Sequence, residues 1–306
     1  MEAEQTQNKA QKNAIFNVFN LYTTHIVLVL LLSFLLTVIK GHSGVKMSVI
    51  AIISAGILYL TNKGWGKIQK TEVLKINKKY ANTTKHSYDN LFIKGVVLVG
   101  LILAANLFNA ILTNTIINIL GLVRTQSVSN LLPQMTVVRL IYAIIIAPVC
   151  EEIIYRGIIY SHARKVSARF AIIITSILFL LMHGNIPQIM GIIFPTIIFG
   201  VVREYHGLAA AIGVHISNNI GAFIFTLMVT YGAEYTDVIT VIGIILVALM
   251  VFSIVYLLAH YLYQEDDEID AEQTTKKVSL KFSDFVKQPL VYIAFILSLL
   301  LLIMMN

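Results

Sequence analysis

The stretch APVCEEIIYRG, from Ala147 to Gly157, sets two glutamates and an arginine inside an otherwise apolar run. Glu152 and Arg156 are four residues apart, so on a helix they share a face and can pair. Glu151 lies about 100° further round the cylinder and points elsewhere. One carboxylate is thereby neutralised by the arginine and the other is left for chemistry. An arginine near the end of a membrane helix can also snorkel to the interface. That explains Arg156 alone, and it explains two adjacent carboxylates deeper in the run less well.

Two further polar groups interrupt apolar runs downstream. In FLLMHGN, Phe179 and His183 are four apart, and Gly184 and Asn185 after them mark the end of a helix. In GVHISNNIGAF, His215 and Asn219 share a face, Asn218 lies near it, and Gly213 and Gly221 flank the pair. The small glycines would permit close helix approach, and His and Asn could serve as hydrogen-bonding glue between helices.

Together these residue types suit hydrolysis of an amide. A carboxylate in a poorly solvated pocket is a better base for taking a proton from water. Histidine can orient that water or donate to a developing oxyanion, and an asparagine amide is a neutral oxyanion donor. Glu151, His183 and His215 are equally the residue types that bind Zn²⁺, although no HExxH pattern is present.

The elements that must position these groups are membrane helices. Of 306 residues, 57% are hydrophobic and 13% charged, with mean hydropathy +0.79. Soluble domains carry about 25% charged residues. The apolar runs lack the period-two alternation of a barrel, so an all-α polytopic protein of about eight or nine spans is expected. The candidate spans are 24–39, 45–61, 91–113, 136–160, 169–183, 187–202, 208–231, 236–263 and 288–305. No cleavage pattern follows the first, so it reads as a retained span.

With a cytoplasmic N-terminus, seventeen Lys/Arg fall in inside segments and three in outside ones. The net charge of +7 therefore reads as a topology signal facing anionic lipid, and not as a nucleic-acid surface. The expected location is the cell membrane, multi-pass. Polar stretches divide the chain into a helical pair with a basic loop (1–90), a central helical core (91–263), and a linker with a last span (264–306). Counting from the cytoplasmic ends, Glu151 lies about 13 Å deep, His215 about 12 Å, Asn219 about 18 Å and His183 about 21 Å. Three helices thus contribute to one polar chamber, with His183 the outlier.

In this order, EEIIYR, FLLMH and HISNN resemble the EExxxR, FxxxH and HxxxN motifs of the CPBP group of intramembrane proteases, the CAAX prenyl endopeptidases and their Abi-type relatives. The resemblance covers about residues 135–230. It implies that Glu151 activates water together with His183, that Glu152 and Arg156 support the site, and that His215 and Asn219 stabilise the oxyanion. It also implies an enzyme without a cofactor, or, as the older alternative, zinc held by Glu151, His183 and His215. The substrate would be a membrane-embedded or membrane-associated peptide or protein. The rival expectation keeps the fold without proteolysis, as an immunity or regulatory protein or a small transporter.

Two features read as decoys. Cys150, the lone cysteine, is expected to be inert in apolar surroundings. Asp266, Asp267 and Asp270 have a DDxxD spacing but sit in a charged linker with no second acidic motif, so they read as a solvated charge run.

Overall fold

The computed structural model describes residues 2–38, 43–62, 96–107, 136–184, 186–231, 236–263 and 288–305, with the single positions 115 and 119. Among these there is no strand, and each apolar run is helical. In a bilayer a helix satisfies its own backbone donors and acceptors, which the long uninterrupted runs require. The protein is an all-α polytopic membrane protein. The basic loop beyond Asn62 and the DDxxD run lie outside the described residues.

The helices, in chain order, are α1 (Glu2–Thr37), α2 (Ser43–Thr61), α3 (Val96–Leu107), α4 (137–163), α5 (Ala168–Met182), α6 (Ile186–His206), α7 (Leu208–Tyr231), α8 (Thr236–Tyr263) and α9 (Pro289–Met305). By length and hydropathy, Lys9–Thr37, Ser43–Thr61 and Gln188–His206 can each cross a membrane, and shorter apolar helices accompany them.

The first helix is longer than the apolar run at 24–39: α1 begins at Glu2. Its early turns alternate buried Ala14, Ile15, Val18, Phe19 and Tyr22 with polar residues on the other face. Averaged along the chain, the polar face hides the apolar one. Ile15, Val18, Phe19 and Tyr22 enter one core with Leu58 of α2, Ile154, Ile158 and Ile159 of α4, Leu178 and Phe179 of α5, and Ala294 of α9. The Tyr22 hydroxyl and Ser298 of α9 are 2.7 Å apart within it. A smaller core joins Ile102 of α3, Phe199 and Val202 of α6, and Ala211 and Val214 of α7.

Local chemistry sets the ends that matter for the site. Thr136 caps α4 by accepting from the Arg139 N–H at 3.3 Å, and Ser167 caps α5 by accepting from Phe170 at 3.0 Å. α5 stops at His183, and Gly184 follows with φ +60°, a left-handed conformation that favours glycine.

α4 is not a uniform α-helix. π-helical turns at Tyr142–Ile146 and Ile153–Ile159 flank the α-helical Ala147–Glu152. Such turns are rare and occur often at functional sites. In the first, the Ala147 N–H bonds back to Tyr142. The Ala143 carbonyl would take its donor from residue 148, but that residue is Pro148 and has no N–H. The second π turn carries Arg156 and Gly157.

Candidate active site

The three motifs come together where α4, α5, α6 and α7 meet. Glu152 is fully buried, and its Oε1 accepts from Nδ1 of His215 at 2.9 Å. The same oxygen lies 3.6 Å from Nη1 of Arg156, also fully buried. The pairing expected from the four-residue spacing is present. Snorkelling is not: the Arg156 Nη2 donates to the Thr196 carbonyl at 2.9 Å and contacts the Thr196 hydroxyl, both on α6. The guanidinium carbon lies 4.5 Å from the Phe179 ring centroid and 5.8 Å from that of Phe199. Ion pairing, hydrogen bonds and ring faces together make this burial tolerable for a cation.

Glu151 differs from its neighbour. Its side chain is 28% exposed, and its Oε2 stands 3.7 Å from Nε2 of His215. The two glutamates therefore point apart, as the helical offset requires, yet they meet opposite edges of one imidazole. The His215 ring stacks on Phe199 at 4.5 Å and 21°, and meets the edge of Phe179 at 5.7 Å. With Nδ1–H committed to Glu152, the ring's orientation is fixed by its other neighbours.

His183 reaches the same cluster through its motif partner. Its ring lies 4.7 Å from Phe179, and its Nδ1 donates to the Phe179 carbonyl at 2.8 Å. Nε2 is then the lone-pair edge of a neutral ring. Phe179 thus touches His183, His215, Arg156 and Tyr155. Tyr155 in turn contacts the buried His25 of α1, with Nδ1 and hydroxyl 3.1 Å apart.

Asn219 donates from Nδ2 to the Ala143 carbonyl at 2.8 Å, satisfying the acceptor that the π turn and Pro148 leave without a backbone donor. Gly213 and Gly221 do not play the packing role expected of them: a Cβ at either would meet open space. Close approach occurs elsewhere, at Gly200 of α6 against Ile172 of α5, where a Cβ would come within 3.1 Å. Cys150 is buried beside Glu151 in sequence and unpaired with sulfur.

Sequence reasoning missed the α6 contribution. Thr196, Phe199 and Arg203 all line the site, and Arg203 Nε donates to the Arg156 carbonyl at 2.7 Å. Arg203 counts in the sequence as a cytoplasmic charge, yet it is 3% exposed. The signal for Thr196 was a polar residue directly after Pro195 inside an apolar helix.

The imidazole tautomers would suit a zinc site, since each Nδ1 is hydrogen-bonded and each Nε2 is left over. The donors, however, do not converge: among the described residues no three His, Cys, Asp or Glu side chains gather closely enough to hold a metal ion. Glu151, His183 and His215 are among the residues so described.

Residues 133–221 match the family described as Rce1-like, type II CAAX prenyl endopeptidase Rce1-like. No curated protein and no solved structure matches the chain. The matched segment holds Glu151, Glu152, Arg156, His183, His215 and Asn219, and runs from just before α4 into the middle of α7. Across residues 133–221, therefore, this membrane protein is similar to the type II CAAX prenyl endopeptidases of the Rce1-like family.

Proposed function

We propose that the protein is an intramembrane endopeptidase that cuts peptide bonds of membrane-associated peptides or proteins with a water activated by Glu151. The observation that carries this is the 3.7 Å separation between Glu151 Oε2 and His215 Nε2. It is too long for a direct hydrogen bond and lets one water seated beside the two atoms touch both.

In this reading Glu151 takes a proton from water, and the Nε2 lone pair of His183 orients that water. The hydroxide adds to the scissile carbonyl carbon, and the carbonyl π electrons move to oxygen. The oxyanion accepts from Asn219 Nδ2–H and from His215 Nε2–H. With Nδ1–H already on Glu152, this role makes His215 an imidazolium, and the carboxylates at its two edges supply the counter-charge. Collapse of the intermediate breaks the C–N bond, and the leaving amine takes the proton from Glu151. Glu152 and Arg156 hold the imidazole and do not touch substrate.

The test is cleavage of a labelled library of apolar-tailed peptides by purified wild type and by Glu151→Gln in detergent, each with and without a zinc chelator. Cleavage lost in the variant and surviving chelation is expected, and the cleaved members report the substrate class. Equal cleavage by the two proteins overturns the reading in favour of a protein that keeps the fold for binding.

A further inference from the structure

One part-buried polar chain ends on the site and begins outside it. Asn106 of α3 donates from Nδ2 to Asn218 Oδ1 at 2.8 Å. Asn218 donates to Asn219 Oδ1 at 3.2 Å, and Asn219 donates to the Ala143 carbonyl at 2.8 Å. The last acceptor is a main-chain carbonyl and cannot exchange roles, which fixes the sense of the whole chain. Asn219 must face Ala143 with its NH₂ and hence Asn218 with its oxygen. Asn218 must then present its NH₂ to Asn219 and its oxygen to α3, where only a donor fits.

We propose that Asn106 is a positioning residue for Asn219, acting through Asn218; this rests on the oxyanion role given to Asn219 above. One Nδ2 hydrogen of Asn219 goes to Ala143 and its Oδ1 is held by Asn218, so the amide is anchored at both edges. The remaining N–H is the one offered to the oxyanion. Without a donor at 106, the Asn218 amide has no reason to keep its sense. Reversed, it sets oxygen against oxygen at Asn219 and turns that amide away from the reacting atom. Asn106 lies well before the matched segment 133–221, so none of the three motifs names it.

The experiment uses the full chain in detergent and the best-cleaved peptide of the library. Asn106→Leu and Asn106→Ala are each expected to lower kcat by about tenfold to a hundredfold with KM unchanged, because small misplacements of a catalytic group cost about that much. Asn218→Leu is expected to do the same. The double variant Asn106→Leu/Asn218→Leu is expected to be no slower than Asn218→Leu alone, since the chain is already cut.

A double variant much slower than Asn218→Leu overturns the proposal. A residue that only glues α3 to α7 would lower the melting temperature and leave kcat undiminished in both Asn106 variants, and that result overturns it too. So does a failure of both to yield folded, monodisperse protein, which assigns Asn106 to packing. Asn219→Ala separates the two levels. Full activity there removes the oxyanion role itself, whereas its loss beside intact Asn106 variants removes only the proposal.

Discussion

The Nε2 of His215 and the Oε2 of Glu151 face each other across 3.7 Å, while the Nδ1 of the same ring holds Glu152 at 2.9 Å. One imidazole therefore separates a buried carboxylate from a partly exposed one. If its Nε2–H binds the oxyanion, His215→Gln should lower kcat by about 10²–10³, the usual effect of losing one such donor, and leave KM unchanged. Steady-state kinetics on a peptide substrate checks this. A matching rise in KM would place His215 in substrate binding.

The two neighbouring glutamates should fail in different ways. Glu151→Gln removes a base from a partly solvated position and should leave the folded protein as stable as wild type. Glu152→Gln strips the counter-charge from Arg156, whose guanidinium is fully buried between Phe179 and Phe199. Breaking one side of a buried pair costs about 3–5 kcal/mol. Thermal melts in the same detergent should show a clear loss for Glu152→Gln and none for Glu151→Gln. Arg156→Lys should resemble the former, because an ammonium cannot reproduce the planar contacts to Thr196 and the rings.

Stability should also depend on pH through a group outside the site. His162 lies beyond the span read at 136–160, with its Nε2 3.1 Å from Asn62 Oδ1. Burial first, and Lys165 second, push it down from 6.5 to about 4. The folded state thus binds its proton less readily than the unfolded chain. The stability it contributes is complete above about 6.5 and is lost as pH falls towards about 4. His162→Gln keeps a donor for Asn62 and does not titrate, so its melting temperature should fall less over that interval. Parallel curves for the two proteins would assign the acid sensitivity to other groups.

The residues of the candidate site were more legible in the sequence than the elements that support them. Charged and amide groups in apolar runs stand out because a bilayer penalises them, which is why Glu151, Glu152, Arg156, His183, His215 and Asn219 could be picked out as candidates. Helical spacing also gave the Glu152–Arg156 and Phe179–His183 contacts correctly. The π turns were hidden, because one extra residue per turn leaves little trace in a nearly uniform apolar segment. Pro148 was the one visible clue, five residues after the carbonyl it fails to serve. Phe199 was hidden for the opposite reason. It is one more aromatic in an apolar helix, and only the fold sets it against His215. Gly213 and Gly221 misled, because small residues permit close approach without requiring it.

Close approach is instead required at Gly100 of α3. A Cβ there would overlap the Ser253 hydroxyl and come 2.5 Å from the Leu249 carbonyl oxygen, both on α8. The hydroxyl belongs to a small side chain, but the carbonyl is fixed in the α8 backbone. Gly100→Ala should therefore force the helices apart, and overpacking of this kind costs about 1–3 kcal/mol or more. Adding Ser253→Ala should recover little of it, since the carbonyl stays in place. Asn106 lies six residues further along α3, about 9 Å up the helix. A displaced α3 should carry it away from Asn218, so Gly100→Ala should lower kcat as well as the melting temperature. Full recovery of stability in Gly100→Ala/Ser253→Ala would show that the hydroxyl alone sets the distance between α3 and α8.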